Sequence, residues 1–111
     1  MNTMRPTDCT GTANEGADMS QVTFQAFETE ARAHGFDEVV ERPWTPGTNL
    51  ESHTHPFSVR ALVVQGEMWL TVGTDVRHLR PGDEFSVDRN VAHSERYGAE
   101  GATYWAARRH A

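Results

Sequence analysis

Residues 47–66 read GTNLESHTHPFSVRALVVQG, and the reading of the fold turns on this stretch. Its second half, Val59 to Val64, is apolar apart from Arg60, half of it β-branched, and Gly66 closes it, the pattern of a strand rather than a helix. Leu62 and Val64 fall on one face of that strand, and Val59, Ala61 and Val63 on the other. A strand that is apolar on both faces is covered on both. The first half carries His53 and His55, two residues apart. In an extended chain their imidazoles point to one face, roughly 6.5–7 Å apart. Neutral imidazole is the commonest metal ligand among side chains, and two on one face can converge on one ion. Such pairs also occur on solvated strand faces, so the rest of the chain has to decide between the two readings.

On the N-terminal side, Thr23 to His34 has the marks of one short helix. Thr23 can cap it, Phe24, Phe27 and Ala31 share a face, and Gly35 stops it. After Phe36 the texture becomes strands between turn signals. Val39 to Arg42 ends at Pro43, Ser52 to Gln65 ends at Gly66, and Glu67 to Val72 ends at Gly73-Thr74-Asp75. Val76 to Arg80 runs into Pro81-Gly82-Asp83, and Phe85 to Val87, Ala92 to Tyr97 and Thr103 to Ala107 complete the set. Many short strands after a single helix predict an all-β sandwich or barrel. Residues 1–20 read as a polar tail, rich in Thr, Asn, Gly and Asp as far as Asp18, and residues 21–111 as one domain. Met19 is a candidate natural start.

Composition narrows the function. A chain of 111 residues has room for one core. Net charge is −6, and the ten basic residues are all arginine, scattered along the chain. Nucleic-acid binding needs clustered positive charge, so this distribution argues against it. Without lysine there is no Schiff-base chemistry. The longest apolar stretch, Ala61 to Val64, is far too short to cross a bilayer. The amino terminus shows no apolar run behind a basic patch, so no secretory signal is expected. Cys9 is the single cysteine, and a reducing cytoplasm is the simplest compartment for it.

The spacing carries a resemblance. Gly47, five residues, His53-Thr54-His55 and the closing Gly66 resemble the first motif of the cupin superfamily. Pro81-Gly82-Asp83, a strand, a turn and His93 resemble its second. The resemblance implies a jelly-roll barrel (a double-stranded β-helix) with the ligands pointing inside. It also implies a site of His53, His55 and His93 holding one divalent transition metal ion: iron, zinc, nickel or manganese. Where the family has a fourth, glutamate ligand, this chain has Val59, or Arg60 under the alternative spacing. Val59 keeps the parity of the histidines and is the better match. Asp88 and Asn90 replace a proline and a glycine of the second motif, Asn90 being able to adopt the left-handed turn. Tyr97 stands where the family often has asparagine. Three-histidine sites resemble those of certain iron(II) cupin dioxygenases; a metal-free site with the histidines as polar lining is the other reading.

Around that site, Glu95 lies two residues after His93 and shares its strand face, as a ligand, a general base, or a rim glutamate paired with an arginine. Glu51 stands likewise before His53 but nearer a turn. Phe57, Val59 and Tyr97 are the expected substrate contacts. Trp44 is placed near the mouth and Trp69 and Trp105 in packing, with His34, His78 and His110 at the surface. The first functional expectation is a small mononuclear metalloenzyme acting on a small organic molecule, dioxygenase-like first, isomerase or lyase second. The second is a non-catalytic barrel that binds or senses a small ligand. The two-faced strand, with cupins commonly dimeric, adds the expectation of a homodimer.

Overall fold

A computed structural model describes residues 22–110. The expected tail and Met19 lie outside the described residues. Helix α1 spans Phe24–Ala33, followed by strands β1 Glu38–Trp44, β2 Asn49–His53, β3 Ser58–Val72, β4 Asp75–Leu79, β5 Glu84–Val87 and β6 His93–Arg109.

Helix α1 starts where Thr23, in extended conformation, accepts the Ala26 N–H on its hydroxyl at 3.0 Å. Glu28 and Arg32 pair one turn apart at 3.0 Å on its solvent face. Its buried residues, Phe27 and Ala31, pack with Leu62, Trp105 and Ala107. Phe24 meets the Trp105 ring edge-on at 5.6 Å. This helix covers the Leu62 and Val64 side of β3, while Ala61 and Val63 belong to the main core on the other side. The two-faced strand thus finds both covers inside the chain, and by itself gives no reason for a second subunit.

Two long antiparallel strands organise the sheet. Strand β6 lies between β1 and β3, and β3 continues to β4; β2 pairs with β6 and β5 with β3. The expected closed jelly-roll barrel is therefore corrected: among the described residues this is an open six-stranded sheet with one helix. Closure would need the β1 and β2 edge to pair with the β4 and β5 edge, and no ladder joins them. The edges are built against pairing. Four of the five residues of β4 are exposed, including Asp75 and Arg77, β5 has four residues, and Pro43 removes a donor from β1.

Two further boundaries differ from expectation. Gly66 does not end a strand; β3 runs through it, with register shifts on either side. Likewise the expected strands Ala92 to Tyr97 and Thr103 to Ala107 fall, except for Ala92, within one strand, β6. In the other direction, Ser52 to Gln65 is not one strand, because β2 ends at His53 and β3 begins at Ser58. His55 lies in the turn between them.

Candidate metal centre

His53 and His93 are cross-strand partners in the ladder of β2 and β6. Their rings are 4.4 Å apart between centroids. His55 reaches the same place from the turn, its ring 4.9 Å from His53 and 5.1 Å from His93. Its position is set by the loop that precedes β6: the Asn90 N–H donates to the His55 carbonyl at 2.9 Å. Asn90 has φ of 65°, the left-handed conformation expected of it. The strand-parity argument that paired His53 with His55 thus reached a true proximity by a different backbone route.

The donor set fits a divalent transition ion. One ligand nitrogen from each ring lies within 4.8 Å of the others. Nitrogens bound tetrahedrally to one ion at about 2.1 Å stand ~3.4 Å apart, so on binding no pair of the cluster would have to close by more than about 1.4 Å. His53 Nδ1 donates to the Glu51 carbonyl at 2.7 Å, and His93 Nδ1 to the Val91 carbonyl at 3.0 Å. Each bond fixes a tautomer that leaves a lone pair on Nε2. Burial pushes the His55 imidazole below its usual pKa, and the neighbouring His53 and His93 rings push the same way. Its neutral, ligating form is favoured.

Glu95 is buried beside this cluster. Its Oε2 lies 3.6 Å from Nε2 of both His53 and His93. Its Oε1 accepts from the Tyr97 hydroxyl and, at 3.4 Å, from that of Tyr104. Burial, with the Glu95 charge beside them, raises the pKa of both phenols and keeps them as donors. Phe57 and Val59 border a cavity of about 280 Å³ in front of the histidines. Phe57 also stacks on His55 at 4.9 Å. Tyr97, expected as a substrate contact, is not among the residues bordering that cavity. It is fully buried behind Glu95 and reaches the site only through the carboxylate. Trp44 does border the cavity, whereas Trp69 lies elsewhere, stacked on His78. His34, His78 and His110 are exposed.

Sequence reasoning missed Arg42, Tyr104 and Arg108, which also border the cavity. Arg42 lies directly opposite Tyr104 in the pairing of β1 with β6. That register, between residues far apart in the chain, was the signal needed to bring them to the site.

The description of a cupin domain matches residues 44–105, more than half of the chain. The chain belongs to the cupin family. Solved structures agree on the fold. An uncharacterised structural-genomics protein from Rhizobium leguminosarum bv. viciae 3841 is 17% identical, with a TM-score of 0.61 over 64% of this chain and 67% of that one. KdgF from Halomonas sp. is 21% identical, with a TM-score of 0.58 over 64% of its own length and 63% of this cupin. An RmlC-like cupin from Shewanella frigidimarina NCIMB 400 is 24% identical, with a TM-score of 0.58 over 67% of each chain. This cupin thus spans about two thirds of the length of each. A search of the curated proteins returns no match. No helix among the described residues is long and apolar enough to cross a membrane.

Proposed function

We propose that this cupin is a mononuclear metalloenzyme acting on a small organic molecule, with His53, His55 and His93 as the ligands. The observation that carries this is the convergence of three imidazoles, two with Nε2 freed by backbone hydrogen bonds, at the wall of a cavity. An ion held there supplies Lewis acidity, or one-electron chemistry when it is iron(II). The cavity, about 280 Å³, is at the small end of ligand pockets and takes a metabolite-sized molecule.

Within that proposal Glu95 is the general base. Its Oε1 is held by two phenols, so Oε2 faces the cluster in a fixed position. A base placed there takes a proton from a substrate lying against the histidines, and Tyr97 and Tyr104 stabilise it without being consumed. This favours isomerase or lyase chemistry. Dioxygenation stands as the second reading, supported by the three-histidine ligand set without a first-motif carboxylate. Phe57 and Val59 form the apolar wall against the substrate.

The metal is tested by anaerobic purification without chelator followed by elemental analysis. Near one equivalent of iron, zinc, nickel or manganese per chain is expected. Replacing His53 and His55 together with alanine should abolish it with the circular dichroism spectrum unchanged. Wild-type protein that takes up no divalent ion on reconstitution overturns the proposal and leaves the non-catalytic ligand-binding reading. Turnover that persists without dioxygen supports the proton-transfer assignment, and turnover that consumes dioxygen the dioxygenase one.

A further inference from the structure

The cavity that the histidines border also carries a cation with no ion-pair partner among the described residues. Arg42 is half-buried on β1 and borders the cavity. Among the described residues no acidic group lies within ion-pair reach of it. Its guanidinium instead lies over the Trp44 ring, 4.9 Å from the centroid. That ring in turn stacks on Tyr97 at 5.1 Å and 16°. Guanidinium, indole and phenol are linked in series, and the series ends in the hydrogen bond to Glu95.

Arg108, the other arginine of the wall, differs. It is 3.5 Å from Glu38, which His110 also contacts at 2.9 Å, and its charge is offset there. Arg42 is the uncompensated one. A cation that borders a half-enclosed cavity without an ion pair can take its counter-charge from a bound anion. A divalent ion on the three neutral histidines adds positive charge that Glu95 only partly offsets.

We infer that the site takes a small organic acid, its carboxylate bound by the Arg42 guanidinium while the rest of the molecule lies against the histidines. This deepens the metalloenzyme reading and rests on it for the position of the reacting end. The acid group itself is recognised by Arg42. The planar guanidinium suits two-point binding of a carboxylate, and its contact with the Trp44 ring sets it beside the cavity that both residues border.

The test uses the nickel-loaded full chain and calorimetric titration with malonate, succinate and benzoate, each against its amide of matched shape. At least one acid should bind roughly tenfold or more tightly than its amide, the range for a charge-assisted bond. Nickel also prefers a carboxylate, so Arg42→Gln carries the decision. That variant should keep one equivalent of nickel while the acid-over-amide ratio falls about tenfold. Arg108→Gln should change the ratio about twofold or less, since its charge is already offset. A ratio unchanged in Arg42→Gln, a ratio lost only in Arg108→Gln, or no acid preferred by the wild type would overturn the inference. If the chain takes up no nickel, the metal reading fails separately. The same Arg42→Gln comparison on metal-free protein then decides the acid site.

Discussion

The two oxygens of Glu95 face different neighbours, one two phenols and the other two histidines. At 3.6 Å, Oε2 is beyond hydrogen-bond distance of either Nε2, and under the proposed function this gap would take a cation or a substrate proton. Glu95→Gln keeps the shape and removes the charge. Metal affinity measured by chelator competition should fall by roughly tenfold to a hundredfold, as for other partners that support a metal site. Tyr97→Phe, which leaves the charge in place, should cost less. Equal affinity in Glu95→Gln and wild type would reduce Glu95 to a buried structural carboxylate. At this scale much was legible. His53 and His55 came from alternation along the chain, His93 from the resemblance to the second cupin motif, and Glu95 from its place two residues after His93, all of them local signals. Arg42 and Tyr104 were not, because they enter through a pairing of β1 with the far end of β6 that no local pattern encodes.

Along the strands, the same locality explains what was misread. Gly66 looks like a breaker because glycine usually marks a turn. Here it has φ of +75° within β3, and a Cβ on it would stand 2.1 Å from the Gly101 carbonyl oxygen. The two long strands stay paired past that point through register shifts on both sides, Val64 being extra on β3 and residues 98–101 of β6 standing against Glu67 alone. Gly66→Ala should therefore lower stability by about 2–4 kcal/mol, combining left-handed strain with a backbone clash. Gly73→Ala is the control: its φ is +61° but nothing lies within 4 Å of the added carbon. That change should cost only about 1–2 kcal/mol in urea unfolding. Similar losses for the two variants would mean that the close approach contributes nothing. Helix α1, by contrast, was readable because its cap, its apolar face and its stop all lie within a dozen residues.

Across the whole molecule, the open sheet changes what a bound metal does. In a closed barrel every strand is pinned on both sides; here β2 is a five-residue strand paired only with β6. Beside that ladder, the backbone link from Asn90 to His55 ties the 49–57 segment to the loop that precedes β6. A metal on His53, His55 and His93 would act as a clasp across that edge, binding the folded chain and not the unfolded one. At free metal a hundredfold above its dissociation constant, linkage predicts about 2.7 kcal/mol of added stability. For a domain of this size that is a rise in Tm of roughly 10–20 °C. The gain should also be local in origin. Amide exchange in residues 49–57 and 93–97 should slow more on metal addition than exchange in α1, whose packing on Trp105 lies on the opposite face of the sheet. Chelator should reverse both effects. A metal-loaded chain whose Tm rises while residues 49–57 exchange as fast as before would place the ion elsewhere, and the clasp would be rejected even though a metal was bound.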